Sequence, residues 1–156
     1  MIAVLQRALS AAVRVEGKTV GEIGQGLLVL LGVSAEDTEQ DAELLAKKIL
    51  ACRIFTDEND KMNLSVRDVG GSVLVVSNFT LLANYRHGNR PDYMGAAGPE
   101  RANALYAYFV ELIRRDGTPV ATGRFGADMR VLLEGEGPVT IVMDSNELKK
   151  KKERTQ

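Results

Sequence analysis

Ser72 to Leu82 reads SVLVVSNFTLL, and the arrangement of the rest of the chain follows from this stretch. Val73, Leu74, Val75 and Val76 are apolar in succession, and all but Leu74 are β-branched, a run that suits a strand covered on both faces. Polarity then arrives abruptly as Ser77, Asn78 and Thr80, with only Phe79 between them. Hydroxyls and an amide at the end of a buried strand stand on a rigid base, from which chemistry can be aimed. The same groups also finish ordinary strands by bonding to nearby backbone, so composition alone leaves both readings open.

Working toward the N-terminus, Gly26 leads into Leu27-Leu28-Val29-Leu30-Leu31, a second run apolar on both faces and a candidate central strand. Gly21 to Gly26, GEIGQG, has the wrong glycine spacing for a dinucleotide fingerprint and opens no helix. Ala11–Val15 and Lys18–Ile23 flank Glu16-Gly17, which reads as a tight β-hairpin. Ile2–Leu9 is a first strand, with Arg7 its single charge.

Between these strands and the central stretch, Thr38 with Asp41 forms a weak capping box. Ala42, Leu45, Ala46, Ile49 and Cys52 then recur at helical spacing and predict one buried stripe, with Cys52 inert on it. Thr56 to Asn63, TDENDKMN, lacks the glycine and terminal glutamate of a calcium loop and reads as a solvated turn. Toward the C-terminus, Gly98-Pro99 opens a second helix whose buried face is Leu105, Phe109 and Leu112 or Ile113, and Gly117 ends it. Strands are expected at Val120–Thr122, Met129–Leu133 and Val139–Met143. Glu134 to Pro138 between the last two is open to an ordinary turn.

A chain of 156 residues is expected to form one domain. No run approaches the roughly 18 apolar residues of a membrane helix. The first residues lack the basic lead and cleavage site of a signal peptide, so a cytoplasmic protein is expected. Cys52 is the single cysteine, which excludes an internal disulfide and a cysteine-based zinc site. Neither a metal nor a cofactor is expected.

Charge is unevenly placed. The last ten residues hold five basic and two acidic side chains, leaving 15 basic and 19 acidic groups in the other 146, a balance of −4. Such a body does not attract nucleic acid by its overall field. Lys149 to Lys152 reads as part of a solvated terminus. Ala83 to Tyr93, ANYRHGNRPDY, is the densest basic patch of the body, with Arg86, His87 and Arg90 beside Tyr85 and Tyr93, on which a base could stack. His87 is the sole histidine and sits beside Gly88, a context that reads as loop.

Taken together, several stretches resemble the D-aminoacyl-tRNA deacylase family. Ser77-Asn78-Phe79-Thr80-Leu81 resembles its first signature, in which the second residue is normally glutamine, and Gly137-Pro138-Val139-Thr140 resembles its glycine–cis-proline signature. Gly21-Glu22-Ile23, Gly26 to Val33, Lys61-Met62-Asn63 and Thr122 to Met129 are also similar to family segments. The likeness runs from Met1 to about Ser145, which sets a domain over 1–145 and a basic, disordered tail over 146–156.

The resemblance implies an α/β fold: a single compact domain, with a mostly antiparallel barrel-like sheet and two main helices packed outside. It implies a homodimeric hydrolase that cleaves the ester between a D-amino acid, or glycine, and the 3′ end of tRNA. Ser77, Asn78, Phe79 and Thr80 are then the catalytic set. Gly137 and Pro138 are expected to reach into that set from the other subunit and exclude L-amino acids. Arg7 matches the position that holds this motif in place, and Phe125 and Met129 match positions near the pocket. A serine or threonine nucleophile needs an adjacent base, and no motif places His87 there, so no Ser-His triad is expected. Backbone N–H groups of Phe79 and Thr80, aided by the 2′-hydroxyl of the terminal adenosine, suit a chain poor in bases. Two other readings stay open: a non-catalytic module binding the tRNA 3′ end, with turnover lost through Asn78 in place of glutamine, or a hydrolase for small D-amino-acid esters with no RNA requirement.

Overall fold

A computed structural model of the chain describes residues 1–150. Eight strands and three helices follow in order. They are β1 (Ile2–Val15), β2 (Lys18–Ile23), β3 (Gly26–Gly32), α1 (Glu39–Ala51), β4 (Phe55–Thr56), β5 (Met62–Leu64), β6 (Ser72–Ser77), α2 (Pro99–Arg115), β7 (Val120–Thr122), β8 (Arg130–Asp144) and α3 (Ser145–Lys149). A single 3-10 turn, Phe79–Leu82, follows β6.

The main sheet runs β2-β1-β3-β6-β7, with β8 on the remaining edge of β1. β1 pairs antiparallel with β2, β3 and β8, whereas β3–β6 and β6–β7 are parallel, so the sheet is mixed. The ends of the path meet: a Cβ built on Gly21 of β2 would lie 2.2 Å from the Thr122 carbonyl oxygen of β7. That contact, open only to glycine, brings the sheet close to a closed barrel, with α1 and α2 outside it.

Alternation along β6 explains the apolar run. Val73 and Val75 pack with Leu45, Ile49, Leu105, Phe109 and Ile113 of the two helices. Leu74 and Val76 join Ala8, Val13, Ile23 and Leu28 in a second cluster. A strand between two apolar layers has no polar face to show, and the sequence there has none.

The local signals behave as expected. Glu16 (φ 51°) and Gly17 (φ 78°) make the hairpin turn between β1 and β2. The Thr38 N–H donates to the Asp41 carboxylate at 2.9 Å at the start of α1, and Pro99 takes the first turn of α2. Ile113, fully buried, completes the α2 face, while Leu112 is only half-buried.

Longer-range pairing changes three expectations. Ile2–Leu9 and Ala11–Val15 are one strand, because β1 exchanges β3 for β2 as its neighbour after Ala8 and never has to break. Met129–Leu133 and Val139–Met143 also fuse, into β8, which begins one residue later than expected, at Arg130. The Glu134–Pro138 stretch is therefore no chain-reversing turn. Gln6 pairs with Thr140 and Ala8 with Gly135, so the residues between bow out of a continuous ladder. Cys52 is the residue capping the C-terminus of α1, half-buried, and burial pushes its thiol pKa up against the opposing pull of Lys48.

The first residues of the expected tail form α3. Lys149 Nζ lies 2.6 Å from the buried Asp41 carboxylate, and the buried Ser145 hydroxyl donates to the same oxygen. Residues 151–156 lie outside the described residues.

Candidate active site

β6 ends by surfacing. The Asn78 N–H donates to the Leu31 carbonyl at 2.8 Å, one more rung beside β3, and the chain then leaves the sheet in the 3-10 turn. Gly32 permits this departure, since a Cβ there would meet Leu82 at 2.7 Å and the Asn78 carbonyl oxygen at 3.0 Å. Asparagine side chains close such turns by accepting from the backbone two residues on. Asn78 does so: its Oδ1 accepts from the Thr80 N–H at 3.2 Å and from the Thr80 hydroxyl. Both Thr80 donors are thus spent on Asn78. The Phe79 N–H, by contrast, makes no hydrogen bond among the described residues.

Beside this turn lies a cleft of about 530 Å³, a size suited to a small ligand or the end of a larger one. Ser77, Asn78, Phe79, Tyr93, Phe125 and Met129 line it, with small residues such as Ala96 and Gly126 leaving the space. Phe79 is 56% exposed, and its ring meets Tyr93 edge-on at 5.0 Å and 80°. Gly123 makes room for Met129, because a Cβ there would be 2.6 Å from the methionine sulfur.

None of the lining side chains carries a charge. The chemistry on offer is an apolar, partly aromatic bed for a planar group, with a free N–H and a serine hydroxyl at its edge. His87 is exposed on the Asn84–Asp92 loop and does not line the cleft, so Ser77 has no imidazole beside it. Among the described residues no group of three or more His, Cys, Asp or Glu is placed to hold a metal, and no helix is long and apolar enough to cross a membrane.

Ser77, Asn78, Phe79, Phe125 and Met129 therefore come together, and Thr80 adjoins them. Gly137 and Pro138 do not line the cleft within one chain. They sit exposed in the bow of β8, joined by a cis peptide. Arg7 spans the base of that bow: Nε donates to the Glu136 carbonyl at 2.9 Å and Nη1 to the Ile54 carbonyl at 2.8 Å. A shallow second cleft of about 460 Å³ shares Ser77, Asn78 and Met129 and runs on to Val131 and Leu133 of β8.

Sequence reasoning passed over Tyr106. Its ring is buried in α2, tilted against Phe125 at 5.9 Å, and its hydroxyl donates to the Val75 carbonyl at 3.1 Å. Burial pushes the phenol pKa up, so it remains a donor and ties α2 to the strand that carries Ser77. The available signal was a tyrosine on an otherwise apolar helix stripe, whose hydroxyl must find a partner.

Known proteins resemble the chain over most of its length. The family described as D-Tyr-tRNA(Tyr) deacylase matches residues 4–144. A D-aminoacyl-tRNA deacylase of Clostridium botulinum (strain 657 / Type Ba4) is 53% identical over 145 residues, covering 93% of this chain and 97% of the relative. One from Yersinia enterocolitica is 58% identical over 141 residues, covering 90% and 97%. Among solved structures, a c-Myc DNA Unwinding Element Binding Protein superposes with a TM-score of 0.88 at 41% identity, covering 92% of this chain and 98% of that one. A probable eukaryotic D-amino acid tRNA deacylase gives 0.77 at 18% identity over 91% and 97%, a likeness of fold.

Proposed function

The chain belongs to the D-Tyr-tRNA(Tyr) deacylase family, and from that membership we propose that it hydrolyses the ester joining a D-amino acid, or glycine, to the 3′ end of tRNA while sparing L-aminoacyl-tRNA. The observation that carries this reading is the uncharged cleft with the surfaced Ser77–Thr80 turn at its edge. Water adds to the ester carbonyl, and negative charge develops on the carbonyl oxygen. The bond to the 3′ oxygen then breaks, releasing the amino acid and a free 3′-hydroxyl. Backbone donors aimed at that oxygen lower such a barrier by roughly 3–4 kcal/mol each. The Phe79 N–H is ready for this role, and the Thr80 N–H joins it when the Asn78 carboxamide swings aside. Since no lining side chain is a base, the 2′-hydroxyl of the terminal adenosine assists the proton transfer. Ser77 and Thr80 position groups and do not attack. Phe125 and Met129 form the wall of the cleft.

In this reading the working unit is a homodimer in the cytoplasm. Gly137 and Pro138 of the partner subunit complete the site, and their backbone carbonyls stand against the substrate α-carbon. A rigid carbonyl cannot adapt to an L side chain as a pocket of side chains can, where adaptation limits discrimination to about 1–3 kcal/mol. Three features support this reading. The β8 bow is exposed, Arg7 braces it from within its own chain, and the second cleft links Ser77 to apolar residues of β8.

Deacylation of D-tyrosyl-tRNA, L-tyrosyl-tRNA and D-tyrosine ethyl ester tests it. Rapid release from the first alone is expected. Binding without turnover, or equal turnover of the ethyl ester, would sink the proposal.

A further inference from the structure

The Asn84–Asp92 loop plays no part in the chemistry above, yet it is built into the edge of the site. Its ends are zipped by two backbone hydrogen bonds, Asn84 N–H to Asp92 O at 2.8 Å and Asp92 N–H to Asn84 O at 2.9 Å. Each end is fixed again by its own side chain, since Asn84 Oδ1 accepts from the Arg86 N–H at 3.1 Å and Asp92 Oδ1 from the Met94 N–H at 3.2 Å. Gly88, at φ 73°, turns the tip. The next residue after the zip is Tyr93, which lies edge-on to Phe79 in the cleft wall. The loop therefore holds a set position at the cleft mouth.

Arg86 and Arg90 are exposed on this loop, and neither makes an ion pair or a side-chain hydrogen bond among the described residues. Arg7, Arg67, Arg101 and Arg114 are engaged with carbonyls or carboxylates, whereas Arg14, Arg53, Arg124 and Arg130 are, like the loop pair, without a side-chain partner among the described residues. What sets Arg86 and Arg90 apart is their place on the loop that leads into Tyr93 of the cleft wall. Tyr85 between the zip and Arg86 is 75% exposed. Outside the last ten residues the chain carries 15 basic and 19 acidic groups, so its general field repels a polyanion. A phosphate chain entering the cleft by its end needs local cations beside the mouth, and this loop supplies them.

We propose that the Asn84–Asp92 loop is the holding surface for the single-stranded 3′ end of the RNA substrate. Arg86 and Arg90 bind the phosphates just outside the cleft, and Tyr85 offers a face on which a base stacks. The proposal rests on the tRNA reading above and adds to it where the RNA lies.

Phosphate binding releases counterions, with a slope of about −0.7 in log affinity against log salt for each single-strand phosphate neutralised. The test is the binding of uncharged tRNA by wild type and by the Arg86→Ala/Arg90→Ala variant, followed by fluorescence anisotropy across a salt series. The slope is expected to become shallower by roughly 1.4 in the double variant, and Arg86→Lys/Arg90→Lys should retain it. With D-tyrosyl-adenosine, which carries no phosphate, kcat/KM should be the same for wild type and the alanine variant. With D-tyrosyl-tRNA, KM should rise and kcat hold. An unchanged salt slope, or an equal loss on the phosphate-free substrate, overturns the loop assignment. Because binding is read without turnover, an enzyme that binds tRNA with the expected slope but deacylates nothing would sink the deacylase reading and leave the loop standing.

Discussion

β6 and β8 are both rich in valine and leucine, and the chain treats them in opposite ways. β6 has a neighbour on each edge and an apolar layer on each face, and Val73, Leu74, Val75 and Val76 are 0–3% exposed. β8 has β1 alone, and its Val131, Leu132, Leu133 and Val142 are 37–69% exposed. A long strand with a free edge and bare apolar side chains is a surface waiting for cover. The difference teaches where the molecule is complete. One chain finishes the strand that presents Ser77 to Thr80 and leaves unfinished the strand that presents Gly137 and Pro138. A second copy supplies the cover in the dimer proposed above.

The comparison breaks most severely at the covered strand. A Cβ on Gly26 would lie 1.8 Å from the Ser72 carbonyl oxygen, where β3 first pairs with β6. Backbone cannot yield by that much locally, so Gly26→Ala is expected to abolish the cooperative thermal transition seen by near-UV circular dichroism. A variant melting within a few degrees of wild type would contradict the packing described for β6.

At the uncovered strand the expected loss is of assembly and activity while the fold survives. Leu133→Asp places a charge where β8 meets the second cleft. Sedimentation should show monomer, deacylation of D-tyrosyl-tRNA should fall because Gly137 and Pro138 of the partner subunit no longer complete the site, and the circular dichroism spectrum should stay. A variant that remains dimeric and fully active would show that this face is simply surface.

The end of β8 sharpens the contrast, because there the chain covers itself. Burial of Asp41 alone would raise its pKa, but Lys149, Ser145 and the Thr38 N–H together hold it far below the usual carboxylate range. A carboxylate with a depressed folded-state pKa contributes stability that is present at neutral pH and is lost as pH falls below about 4, where the unfolded chain takes up its proton first. Lys149→Ala is expected to cost about 1–2 kcal/mol in urea unfolding at pH 7, and to weaken the dependence on acid. No change at either pH would mean that α3 is not anchored through Asp41.

The smallest effect is expected where β6 surfaces. Asn78→Gln lengthens the side chain by one methylene and opens the tight ring that takes both Thr80 donors. Since one such hydrogen bond is worth about 0.5–1.5 kcal/mol net, kcat should stay level or rise by up to roughly tenfold. A fall of two orders of magnitude would mean that the cleft is built around asparagine.

What could be read in advance was local. The Val73–Val76 run, the Glu16-Gly17 hairpin, the Thr38 and Asp41 start of α1 and the Pro99 start of α2 each depend on neighbours within a few residues, and each appears. Gly137-Pro138 looks locally like a turn. Only pairing with β1, far away in sequence, keeps β8 continuous through it, and no window of residues contains that information. The site divides in the same manner. Ser77, Asn78 and Phe79 adjoin in sequence, and Phe125 and Met129 gather beside them. The hold of Asn78 on Thr80 and of Tyr106 on β6 depends on side-chain rotamers and tertiary packing that residue identity only hints at.

The ladder between β1 and β8 also has a history. It runs from Ile2 opposite Asp144 to Arg14 opposite Arg130, so the first described strand takes the last described strand as its neighbour. At about 5–20 residues per second on the ribosome, β1 waits roughly 6–26 s after it is made before β8 is complete. Through that interval β3 and β2 can close one edge of β1 while the other stays open, a template for any passing strand. Pairings of such sequence separation are slow to form even in a complete chain. The outermost ladder of the molecule is therefore its last to be completed in time.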